Sequence, residues 1–198
     1  MALFSTAYWA PVSAYLLAAQ SDVVEIEQHE RYRKQSYRNR CTILSANGPL
    51  SLVVPVLRPH DSRIRDIRID YSKPWQKIHW RAIEAAYRSS PFFDEFNGDV
   101  RQVYGKEIPF LFDLNIKVWE VSQALLRVSF RWGFTERFVP PPPPATQLHD
   151  YRYVIHPKAK RKPEGIALEP YFQVFGHKFG FVPDLSVLDL LFNEGQMS

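Results

Sequence analysis

One cysteine in 198 residues, Cys41, rules out an intramolecular disulfide and any zinc site built on a thiol cluster. That scarcity fits a reducing compartment, and a cytoplasmic address is expected. Long apolar runs are also missing. The most apolar stretch near the start, Ala7 to Ala19, is broken by Pro11 and is too short to span a bilayer. The first basic residue is Arg31, so this stretch lacks the positive leader of a signal peptide and reads as core. No membrane insertion is expected. The chain has no Walker-type phosphate loop, dinucleotide fingerprint, HExxH or GxSxG, and no internal repeat. Any chemistry has to come from a less standard site.

What is present suits one sizeable globular domain over residues 1–198. The net charge of +4 looks mild until it is located. Gln28 to Arg40 carries a local +4, Asp150 to Pro163 carries another +4, and the remainder sums to −4. Segregated charge of this kind points to local anion sites rather than to a surface that coats a polyanion.

Four short strands are expected in the first seventy residues. They include Asp22 to Glu27, rich in β-branched residues, and a hairpin from Thr42 to Val56 turning at Asn47-Gly48. Ile64 to Asp70 is expected to add a further strand, which makes the sheet small and largely antiparallel. A short helix before it begins at Pro11 or Ser13. Helical periodicity then takes over. From Trp75 to Arg88, residues Trp75, Ile78, Ala82, Ile83 and Ala86 share one arc. From Phe110 to Leu126 only Asp113, Lys117, Glu120 and Arg127 form a polar stripe, which marks a central helix. Residues 139–147 form a proline-rich connector, because five consecutive prolines cannot continue a helix or sheet. Beyond it an edge strand over Tyr151 to Ile155 and a strand carrying Gln173 are expected. A closing helix follows, with Ser186 and Asp189 at capping-box spacing and Gly195 at its end.

Two residues invite a chemical reading. His79 falls on the apolar face of its helix, pointing toward the sheet that also presents the basic run. A lone histidine there is more often a core residue, yet a buried imidazole beside arginines has a lowered pKa and can act as a base. Cys41 follows Arg40, and a thiolate activated by Arg40 and paired with His79 or His29 would be a nucleophile; the bland alternative is a small buried strand residue. The run from Arg31 to Arg40 could stack and pair with RNA, but it is compact and the chain lacks the pattern of an RRM. A rim of arginine and amide donors equally suits a phosphate or carboxylate.

The stretch "PVSAYLLAAQSDVVEIEQHERYRKQSYRNRCTIL", the hairpin ending "LVVPV", "WQKIHWRAIEAAYRSSPFF", "FLFDLN" and "YFQVFGHKFGFVPDLSVLDLLFNEG" follow one another in an order that resembles the WbqC-like protein family, in its shorter form. That family takes its name from a member encoded among genes for O-antigen and surface-polysaccharide synthesis, so the resemblance implies a role there. By position, Lys34, Asn39, Arg40, His79, Tyr87, Gln173, Ser186 and Asp189 match its motif positions.

The expectation is therefore an α+β or α/β single domain, a small mixed sheet covered by the Trp75 and Phe110 helices. The leading functional reading is a transferase acting on an activated sugar or acyl group, with a nucleotide sugar or acyl thioester as its anionic substrate. Lys34, Arg38 and Arg40 would clamp the anion, Asn39, Tyr87 and Gln173 would orient the substrate, His79 would be the base, and Cys41 is the weaker catalytic candidate. No cofactor or metal is required. The rivals are an RNA-binding module using both basic segments, which the points above disfavour, and a non-catalytic scaffold of a glycan-synthesis complex.

Overall fold

The computed structural model describes residues 1–57, 62–141, 148–159 and 165–196. Its chain opens with β1 (Ala2–Ser5), α1 (Val12–Ala19) and β2 (Val23–Glu27). β1 and β2 are parallel, with Leu3 opposite Glu25 and Phe4 opposite Ile26. A hairpin follows, β3 (Arg40–Ser45) and β4 (Gly48–Val53). Its turn rests on Ala46 and Asn47, and Gly48 supplies the positive φ of 100° with which the chain re-enters the strand. Three helices come next: α2 (Trp75–Tyr87), α3 (Phe93–Gln102) and α4 (Leu111–Leu126). Then β5 (Arg131–Phe134) joins β2 and β6 (His149–Asp150) joins β1, both in parallel, which gives the order β5-β2-β1-β6. A one-turn helix α5 (Gly176–Phe179) and α6 (Val187–Glu194) complete the described elements.

β1 is flanked on both edges, and Ala2, Leu3 and Phe4 are buried in succession instead of alternating. That is the pattern of a strand inside a parallel sheet covered on both faces. On one face Phe4 and Tyr15 meet Trp119 of α4, with the Tyr15 and Trp119 rings stacked at 4.8 Å. α2 buries Trp75, His79, Ile83, Ala86 and Tyr87, and α6 packs on it through the Tyr87–Phe192 ring contact at 5.2 Å. Aromatic side chains thus meet across the layers, each burying a large apolar area.

The α/β alternative and the single domain hold, and several details are corrected. The main sheet is parallel, and the antiparallel hairpin stands apart from it as a second, two-stranded sheet. Ile64 to Asp70 is a 3₁₀ turn at Ile64–Asp66 followed by single bridges, Val56 to Ile69 and Arg68 to Phe110. The strand expected over Tyr151 to Ile155 stops at Asp150, because the Asp150 carboxylate accepts both the backbone N–H and the Nε of Arg152 and folds the chain back. Gln173 lies in no strand: its amide itself pairs with both backbone groups of Val182, at 3.0 and 2.9 Å, in place of a ladder. Ile78, placed on the apolar arc of its helix, is 56% exposed, while His79 and Tyr87 take buried positions. Of the proline-rich connector, residues 142–147 lie outside the described residues, as do residues 160–163 of the second basic segment.

A candidate anion site at the carboxyl edge of the parallel sheet

Because all four strands run the same way, Ser5, Glu27, Phe134 and Asp150 end on one edge. The chain leaves β1 toward β2 on one side and reaches β6 on the other, so the loops after β1 and β6 diverge there. Such a crevice is where open α/β sheets bind ligands. A small cavity of about 20 Å³ opens between these loops, lined by Ser5, Thr6, Ala7, Arg38, Tyr151 and Arg152. It has room for about one water molecule.

Buried ion pairs shape this edge. Glu27 is fully buried, and its two oxygens accept from His29 N (2.8 Å), Thr135 Oγ1 (2.9 Å), Val139 N (2.8 Å) and Arg152 Nη1 (3.2 Å). Arg152 is in turn forked onto Asp150, with Nε to Oδ1 at 2.9 Å and Nη2 to Oδ2 at 2.6 Å. Arg38 makes the same kind of fork on Glu30 through Nε and Nη2, and Ser5 Oγ joins both partners. Two guanidinium groups are therefore fixed in place, their charge already balanced. Arg38 was expected to clamp an anion; Nε and Nη2 are committed to Glu30 and Ser5.

The two basic segments converge here. The Arg33 guanidinium lies 4.5 Å from the centre of the Tyr153 ring, and Lys158 Nζ donates to Gln35. His156 sits among them; burial first, and then Arg38, Lys158, Arg33 and Arg40, push its pKa down. Its Nδ1 accepts from Lys158 N at 3.1 Å, so the ring is neutral with its proton on Nε2. Asn39 and Arg40 each carry a buried polar atom, Oδ1 and Nε, with no partner, while Asn39 Nδ2 donates to Val54 O. Lys34 is exposed to solvent.

Beside this cluster lies a cavity of about 340 Å³, lined by His29, Arg31, Arg33, Arg63, Phe138 and Tyr153 together with Glu30. An isolated antiparallel bridge sets Arg31 opposite Arg63, with Tyr32 N on Ser62 O and Ile64 N on Glu30 O. The backbone thus holds both arginines on one rim. Among the described residues Glu30 is the only carboxylate in this lining, and Arg38 already neutralises it.

The remaining sequence candidates lie elsewhere. His79 is 4% exposed inside an aromatic cluster, with Trp75 edge-on at 5.1 Å. Trp9 Nε1 can only donate, and does so to the Tyr104 hydroxyl at 2.8 Å. Tyr104 then donates to Tyr8 (2.7 Å) and Tyr8 to His79 Nδ1 (2.9 Å), which leaves the imidazole proton on Nε2 facing the Val53 backbone. Burial holds the ring neutral, with a pKa of about 4. Cys41 is fully buried against the Ser186 hydroxyl, and burial pushes its thiol far above the usual range, so it is protonated at neutral pH. That is the opposite of an activated thiolate.

Tyr87, Gln173 and Asp189 do come together. The Asp189 carboxylate accepts from the Tyr87 hydroxyl (3.0 Å), the Tyr171 hydroxyl (2.8 Å) and Gln173 Nε2 (2.7 Å), and burial raises its pKa. This knot ties α2 to α6, and no basic residue of the sheet edge takes part in these three bonds. Ser186 caps α6, accepting from Leu188 N and donating to Trp9 O.

Several residues of the edge escaped sequence reasoning. Phe138, Tyr153 and Arg63 stand in three separate loops, and no local pattern links them. Glu27 carried a weak signal, a carboxylate closing an apolar strand, but not the arginine that answers it.

Fold and edge together define an α/β domain with a basic crevice at the carboxyl ends of a parallel sheet. The chain belongs to the WbqC-like protein family, whose model matches residues 7–148. A relative is the uncharacterized protein Rv1507c of Mycobacterium tuberculosis, 30% identical over 90% of this chain and 87% of its own. No solved structure matches the chain. Among the described residues, no helix is long and apolar enough to cross a membrane.

Proposed function

We propose that this protein is a cytoplasmic transferase of surface-polysaccharide synthesis that takes an activated sugar or acyl group from an anionic donor bound at the carboxyl edge of the parallel sheet. The observation that carries the reading is the convergence of the two basic segments, more than a hundred residues apart in the chain, at that edge beside one cavity. Arg33, Arg40 and Lys158 supply charge to the donor, while Arg38 and Arg152, held by Glu30, Glu27 and Asp150, keep the rim from rearranging. Neutral His156 offers Nε2–H as a further donor. His79 enters as a positioning residue: it holds Tyr8, whose backbone N–H bonds to Tyr37 O next to Arg38. The polysaccharide context rests on membership of the WbqC-like family.

The test is a thermal-shift comparison of the wild type and Arg40→Ala against nucleotide sugars, acyl-coenzyme A and short RNA, at low and moderate salt. One donor class is expected to raise the wild-type Tm by about 5–10 °C at a hundredfold excess over its Kd, and the variant by much less. RNA stabilisation that vanishes with salt would favour the nucleic-acid reading instead. No shift with any donor would end the transferase proposal.

A further inference from the structure

The geometry points to a nucleoside diphosphate as the part of the donor that this edge recognises, with its base on the ring of Phe138 and its phosphates between Arg33 and Arg63. The inference rests on the anion-site reading above and adds to it the identity of the group held. Three features of the cavity carry it.

The first is size and charge. About 340 Å³ lies at the small end of the range for ligand pockets, enough for a nucleotide but not for a polymer. Among the described residues its lining brings Arg33 and Arg63, with Arg31 beside them, against Glu30, whose charge Arg38 already balances. Guanidinium groups from two backbone segments bridged to each other suit the several oxygens of a diphosphate.

The second is the exposed aromatic surface on the same rim. Phe138 is 46% exposed and Tyr153 37% exposed, and both rings line this cavity. Both are held from within by one group. The buried Arg152 guanidinium lies 5.7 Å from the Phe138 ring centre and 5.4 Å from that of Tyr153, and two carboxylates prevent it from moving. Tyr153 is also covered by Arg33. Among the described residues Phe138 has one guanidinium over its ring, that of Arg152, and it stands preordered for stacking, which every base offers through its π-face.

The third is position. Phe138 follows β5, His29 to Arg33 follow β2, and Tyr153 follows β6, so the cavity lies across the strand ends, where the sheet's own topology makes a crevice. A bare phosphate would need the arginines alone. The rings are what a nucleoside adds.

The experiment is calorimetric titration of the full chain with UDP, ADP and inorganic pyrophosphate, for the wild type, Phe138→Ala and Arg33→Ala/Arg63→Ala. In the wild type, at least one of UDP and ADP is expected to bind roughly five- to a hundredfold more tightly than pyrophosphate, the span expected for one stacked base. Preference for UDP marks a nucleotide-sugar donor and preference for ADP a coenzyme A-type donor. Phe138→Ala should abolish the advantage over pyrophosphate while leaving pyrophosphate affinity unchanged, and the double variant should weaken all three ligands together. Equal affinity for pyrophosphate and both nucleotides would overturn the inference and leave the anion site standing, as would a nucleotide preference that survives Phe138→Ala. Failure of every ligand to bind would overturn both. Phe138 is on the surface, so unchanged circular dichroism and Tm are expected for its variant and separate lost stacking from lost folding.

Discussion

His79 shows how a single residue can be placed correctly and still have its surroundings misread. Its wheel position put it on the buried face, and it is buried; the neighbours are Tyr8, Trp75 and, through Tyr8, Tyr104, not the arginines. The lowered pKa has burial as its cause, and this makes a prediction about stability. With a folded pKa of about 4 against 6.5, the unfolded chain binds more protons through that window, so stability falls as pH drops from 6.5 toward 4. The loss amounts to about 3 kcal/mol at most. His79→Asn keeps an acceptor for Tyr8 and removes the titration. Urea unfolding across this window should show the wild type losing more stability than the variant on acidification. Parallel pH curves would mean that His79 protonates without cost and that the tyrosine relay is loose. Arg40 and Asn39 were legible as polar residues at a strand entrance, but only the fold reveals that each keeps a buried polar atom without a partner.

At the scale of elements, periodicity served well where one face decides. α2 and α4 appear within a residue or so of their expected bounds, because a thirteen- and a sixteen-residue helix each repeat their apolar stripe several times. α3 carries the same spacing in Phe93, Phe96 and Val100, but Asn97-Gly98 interrupts it and Pro91 precedes it, which hid a helix that packing supports. β1 and β5 are four residues each, too short for any period to register. The cap of α6 was legible, since Ser186 precedes an apolar run and Gly195 ends it with φ of 89°. Ser186 does more than cap: its hydroxyl also donates to Trp9 O at 3.0 Å, tying α6 to the segment after β1. Ser186→Ala should therefore cost about 1–2 kcal/mol, read as a lower urea midpoint at unchanged m-value. A midpoint equal to the wild type would mean that backbone bonds alone hold this terminus.

The whole molecule is organised around a charge arrangement that no single segment contains. Arg152 comes from the second basic segment, Glu27 from the end of β2 and Asp150 from the end of β6, and the two pairs stitch an outer strand to an inner one. Both partners of the Arg152–Glu27 pair have side chains at 0% exposure. Arg152→Ala would strand two carboxylates, one fully buried, and should cost about 3–5 kcal/mol in urea unfolding, whereas Arg152→Lys keeps the charge without the fork and should fall between. Equal stability of all three proteins would show that the edge is held by its backbone bonds to Glu27 and not by the guanidinium. By itself the sequence determined the α and β segments that repeat a period over many residues, the two basic segments, and the family, because these are properties of neighbours along the chain. Only the tertiary structure decided that the main sheet is parallel, that Arg38 and Arg152 are spent on buried carboxylates, and that Arg33, Arg63, Phe138 and Tyr153 share one cavity. Parallel pairing joins strands that are distant in sequence, and the carboxylate that neutralises an arginine leaves no mark beside it in the chain.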